Sequence, residues 1–235
     1  RAVAWVARRL GTRAVIVMND NAPPVKVAAV QADFTDTDRI AVPTVRLSFN
    51  AMMLQMAAAK QWGQANYAKL DPLTVGMSPP DATIALLSAS ADITSVFSVP
   101  PFQFQQLEKE GIHTVLNSYD VFGGPHTFTV AWTSSQFRDK NPVLYKALIA
   151  AFQEATDMLN NDVKPAARYW SENVKSKLPL EKVVEIASGR QVKWTMVPEN
   201  TMKYAEFMHS VGSIKVMPAS WKDLFFPEVH GLPGS

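Results

Sequence analysis

The chain has 235 residues, 47% of them hydrophobic and 19% charged, with 23 basic against 21 acidic residues and a net charge of +2. This composition gives a globular chain with enough apolar mass for one large or two small domains, and it lacks the basic excess of a nucleic-acid surface. Cysteine is absent, which excludes disulfides, thiolate metal sites and cysteine nucleophiles, and no apolar run reaches the roughly 18 residues that a spanning helix needs.

Arg1 opens the chain with neither Met nor a basic-then-apolar leader, as in a mature product or a fragment. Residues 2–10 carry a helical pattern stopped by Gly11, 14–17 a short strand, and 25–30 an extended segment after Pro23-Pro24. Ile40 to Val42 form a β-favouring run broken by Pro43, and Phe49, Met52, Met53 and Met56 then repeat at helical spacing. A second cycle follows: a strand over 73–77, Ser78 as cap, Pro80 near the first helical position, and a helix over 81–89. A third runs from a strand over 93–97 into a helix over 102–110, closed by Gly111 before a strand over 113–116. Three such cycles predict an α/β fold with a parallel sheet covered on both faces.

After Asp120 the texture changes. Gly123-Gly124-Pro125 reads as a turn and Thr127 to Trp132 (TFTVAW) as a strong strand. Asn141-Pro142 caps a long helix whose stripe is Ala147, Leu148, Ala151, Phe152, Ala155 and Leu159. Further helices are expected over 165–173, 180–188 and 199–211, and Ser220-x-x-Asp223 starts a last short turn of helix. The order suits two lobes, 1–30 plus 128–235 and an inserted 31–127, with crossings near 24–33 and 123–130. Periodicity equally allows one doubly wound domain with a helical extension.

Candidate binding groups stand where strands end. Asn19 and Asp20 follow the first strand. Thr44, Arg46 and Ser48 lead into a helix N-terminus, a natural place for a small anion, and an arginine grips a carboxylate or sulfonate through paired hydrogen bonds. Phe97 and Ser98 end the third-cycle strand, and Gly124, His126 and Thr127 flank the return crossing. His113, His209 and His230 are isolated, without metal-ligand spacing, and Met52, Met53 and Met56 read as core. His-Glu-x-x-His, a Walker loop, Gly-x-Gly-x-x-Gly and a Gly-x-Ser-x-Gly elbow are all missing.

Three long stretches, RIAVPTVRLSFNAM, LTVGMSPPDATIALLSASADITSVFSVPPFQF and HTVLNSYDVFGGPHTFTVAWTSSQF, together with the tail from Met217 to Ser235, resemble the nitrate/sulfonate/taurine-type solute-binding proteins of bacterial ABC importers. These share a superfamily with the thiamin-pyrimidine precursor-binding proteins. The resemblance implies a type II periplasmic-binding-protein fold, two lobes closing on a cleft, with the first lobe incomplete because little of the family's opening portion precedes Arg13. It implies a non-catalytic, monomeric binding protein without cofactor or metal, periplasmic or lipid-anchored outside the cytoplasm. Such a protein hands a small anionic organic solute to an inner-membrane ABC permease. An iron-dependent thiamin-pyrimidine synthase of the same superfamily is the enzymatic alternative, set against by the missing cysteines, and an effector-sensing module is the other.

Overall fold

The computed structural model describes residues 14–15, 34–88, 92–189 and 192–235. The expected helix over 2–10, the extended segment 25–30, and the candidate residues Asn19 and Asp20 lie outside them. Contacts divide the chain into two compact units, Arg1–Gly124 and Pro125–Ser235. The sequence reading had grouped 1–30 with the second part. Of those residues the described pair Ala14–Val15 hydrogen-bonds within the first unit, to His113–Thr114.

The first unit is α/β. Strands β1 (Ala14–Val15), β2 (Ile40–Val42), β3 (Thr74–Gly76), β4 (Ser95–Val96) and β5 (His113–Thr114) pair only in parallel. One sheet has the order β3-β2-β4 and the other is the pair β1-β5. Helix α1 (Phe49–Trp62) joins β2 to β3, α2 (Pro79–Leu87) joins β3 to β4, and α3 (Phe102–Leu107) and α4 (Ser118–Phe122) flank β5. Ile40, Ala41 and Val42 are all buried, the signature of a parallel strand covered on both faces. Ala41 packs with Ala82 and Leu86 of α2 and with Ile93 and Val96. Because strand side chains alternate, Ile40 and Val42 point to the opposite face. In α1, Met53, Leu54, Ala57 and Ala58 are buried; of the expected methionine face only Met53 is fully so, and Met52 and Met56 are half-buried.

Helix starts follow their sequence signals. The Ser48 hydroxyl accepts from Ala51 N at 3.2 Å, and Ser78 caps α2 with Pro79 and Pro80 in the first two positions. Helix α4, unforeseen in the sequence, is a short turn capped by Asn117 and ended by Gly123 at φ 79°, where the missing Cβ removes the left-handed penalty.

The second unit is helical among its described residues: α5 (Ser135–Lys140), α6 (Pro142–Asn161), α7 (Val163–Asn173), α8 (Leu180–Ala187) and α9 (Thr201–Ser210), with 3-10 turns at Trp221–Leu224 and Pro227–Val229. The strand expected over 127–132 does not form. The segment makes one anchoring pair, Thr127 N to Glu199 O at 2.9 Å and Glu199 N to Thr127 Oγ1 at 2.7 Å. Beyond it no strand among the described residues offers a ladder, so the alternating Phe128, Val130 and Trp132 stay exposed, Trp132 at 89%. β-propensity expresses itself only where a partner strand exists.

The C-terminal tail forms a clip. Ser220 and Asp223 make the expected capping box. His230 Nε2 sits 2.9 Å from Lys222 O and 2.8 Å from Phe225 O; both partners are acceptors, so Nε2 carries the proton. Ser235 closes the clip, its carbonyl accepting from Thr201 N at 2.7 Å at the start of α9. A Cβ added at Gly234 would stand 2.8 Å from Trp221 ring carbons. Gly234→Ala is therefore expected to destabilise the protein by about 1–3 kcal/mol through overpacking. A urea unfolding midpoint equal to wild type would refute this role for the glycine.

Candidate functional site

In the first unit β2 stands at the centre of its sheet, with β3 on one side and β4 on the other. The chain leaves β2 through α1 toward β3, and leaves β4 through α3 toward β5. In open parallel sheets ligands bind outside the carboxyl ends of the strands. Two of the predicted groups, the Ser48 turn and the Phe97–Ser98 strand end, meet there.

The link between them is a residue the sequence reading passed over. Asn50, in the first turn of α1, is buried and donates from Nδ2 to Phe97 O at 2.6 Å. Phe97 N in turn donates to Ala41 O at 3.0 Å, extending the β2–β4 ladder past its last bridge. The N-terminus of α1, where the helix dipole is positive, is thus fixed beside the end of β4. The only sequence signal was an amide in an otherwise apolar helix face. The Phe97 ring is buried as core. Ser98 is 2% exposed, and its Oγ has no hydrogen-bond partner. A buried hydroxyl without a partner is uncommon and costs free energy.

Thr44 and Arg46 have other duties. Thr44 O accepts from Ser48 N at 3.1 Å, closing the turn into α1. Arg46 occupies the left-handed region at φ 64°, a conformation held by surrounding structure in a non-glycine residue. Its Nε lies 3.6 Å from Asp71 Oδ2, with the arginine side chain 71% and the aspartate 8% exposed. Asp71, three residues before β3, also takes Gln55 Nε2 on both oxygens at 3.0 and 2.9 Å. Its buried charge therefore has a hydrogen-bonding and an ionic partner, and the Arg46 guanidinium is drawn toward the β3 side of β2.

Gly124, at φ 142°, ends the first unit; its N–H donates to Tyr119 O at 2.9 Å as part of the stop of α4. His126 and Thr127 belong to the second unit. His126 is 9% exposed, with Nδ1 2.7 Å from Tyr204 Oη. Tyr204 Oη also lies 3.0 Å from Thr127 O. The tyrosine has one proton, and a carbonyl can only accept. With that proton given to Thr127 O, His126 Nδ1 must carry its own and donate to the phenol oxygen. Burial pushes the Tyr204 hydroxyl far up, keeping it protonated. Burial likewise lowers His126 below its ordinary value, against a smaller opposing effect of the Thr127 carbonyl.

No family model, curated protein or solved structure matches the chain.

Two expectations follow. Asn50→Ala leaves Phe97 O without its donor and should cost about 1–3 kcal/mol; retention of the wild-type urea midpoint would show that the clamp contributes nothing. Burial makes folded His126 take up its proton only at a lower pH than the ordinary 6.5 of the unfolded chain. Stability should then be complete above that pH and fall below it, by at most about 1.4 kcal/mol per pH unit. Thermal midpoints recorded from neutral to acid pH should fall less steeply for His126→Gln; parallel curves would remove His126 as the source.

Proposed function

We propose that this chain is the substrate-binding component of an ABC importer and holds a small anionic organic solute, sulfonate- or carboxylate-like, at the carboxyl ends of β2 and β4. The observation that carries the reading is the buried, unpartnered Ser98 hydroxyl beside the N-terminus of α1. An anionic oxygen there accepts from the hydroxyl and is favoured by the helix dipole. The long, mostly exposed Arg46 side chain, whose Nε lies 3.6 Å from the buried Asp71, supplies a cation that Asp71, still held by Gln55 on both oxygens, shares with the solute. The chain performs no bond chemistry in this reading: it captures the solute and delivers it to a permease outside the cytoplasm. Among the described residues no helix is long and apolar enough to cross a membrane.

The test is a calorimetric titration with methanesulfonate, taurine, acetate and nitrate, preceded by a thermal-shift screen, because a ligand bound to the native state raises its melting temperature. At least one should bind. Arg46→Ala should weaken that binding by about 1.5–3 kcal/mol, the range for hydrogen bonds to charged groups. Ser98→Ala should weaken it with little loss of stability, because no protein hydrogen bond is broken. Silence from the whole panel, or affinities unchanged in both variants, would defeat the proposal.

A further inference from the structure

Helix α6 is 20 residues long, yet Tyr145 is its only buried residue. The side that carries Tyr145 is tied down: the Tyr145 hydroxyl reaches Glu228 Oε2 at 3.4 Å, its ring meets Phe226 edge-on, and Asn160 Nδ2 donates to Trp194 O at 3.0 Å. The stripe expected to face a core, Ala147, Leu148, Ala151, Phe152, Ala155 and Leu159, is mostly uncovered, and only Leu159 is half-buried. Leu144 is 57% and Leu148 40% exposed, Met158 and Phe152 are similarly open, and Ala151 and Ala155 are exposed.

These residues have a particular order. Leu144, Leu148, Ala151, Ala155 and Met158 are spaced four, three, four and three apart, the a/d repeat of a two-stranded coiled-coil seam. With Leu148 and Ala155 at a and Leu144, Ala151 and Met158 at d, an antiparallel copy of the same helix sets each a against a d. Leu148 then faces Ala151 of the second copy and Leu144 faces Ala155, so large meets small in these four layers, and Met158 lies beyond them opposite Asn141, the residue before the helix. A parallel copy sets Leu on Leu at one end and Ala on Ala at the other, which splays the first and leaves voids at the second. At the flanking g positions an antiparallel partner sets Ala147 near Glu154, with no like charges opposed.

We infer that the Leu144–Met158 face of α6 is a self-association surface, on which a second copy of this chain packs antiparallel through the alternating Leu and Ala seam. The face is small, with Leu144, Leu148 and Met158 57, 40 and 47% exposed, and small interfaces are weak and transient. The dimer is therefore weak, with a dissociation constant in the range of about 1–100 µM. It replaces the monomer expected from the family resemblance, and it is independent of which solute the first unit takes.

Sedimentation equilibrium from about 1 to about 300 µM tests it, spanning that affinity range. Wild type should shift from monomer to dimer, and Leu148→Glu should stay monomeric across the range with an unchanged circular dichroism spectrum. Register is read by oxidation, since the chain has no cysteine of its own. A mixture of Leu148→Cys and Ala151→Cys proteins should yield a disulfide-linked heterodimer, whereas Leu144→Cys alone should not link to itself. A monomer at every concentration, a dimer that survives Leu148→Glu, or efficient self-linking of Leu144→Cys would each overturn the proposal. So would a monomer that instead co-sediments with vesicles of anionic phospholipid, which would assign the stripe to a membrane surface.

Discussion

A parallel strand of three residues holds the first unit in register. β2 gives its hydrogen bonds to neighbours on both sides and buries its side chains on both faces, so it has no edge to slip along and no solvent face to trade with. Everything near the strand ends is referred to it. Phe97 N and Met77 N are held by Ala41 O and Val42 O at 3.0 and 2.8 Å, and Asn50 anchors the start of α1 to the strand end so defined. A position fixed by a sheet and a helix together is more exact than one left to a loop, which is why the end of β4, and not the exposed turn at Arg46, is the stable part of the candidate site.

Ser98 and Asp71 show two ways of placing polar groups in such a frame. Asp71 brings a charge into the interior and is met by Gln55 and Arg46, so its burial is compensated. Ser98 is not met at all. A buried hydroxyl left without a partner is uncommon and costs free energy.

The second unit is built on different terms. Its ties are turns and helix ends: the Thr127–Glu199 pair, the His126–Tyr204 contact, and the tail that returns to the start of α9. These local closures leave much apolar surface uncovered on the 127–132 segment and on α6.

The sequence by itself determined the local punctuation. Ser48, Ser78, Pro80 and the Ser220–Asp223 box act through backbone geometry and nearest neighbours, so their outcomes were legible without a fold. Strand existence in the first unit was also legible, because β-favouring runs alternated with helical periodicity. Tertiary structure decided whatever needed a distant partner. TFTVAW has the composition of a strand but no ladder to join, and the stripe of α6 predicts burial without naming what buries it. Asn50, 47 residues from Phe97, became a site residue only once β2 and β4 lay side by side; hydrogen bonds across such separations leave no periodic trace in the chain.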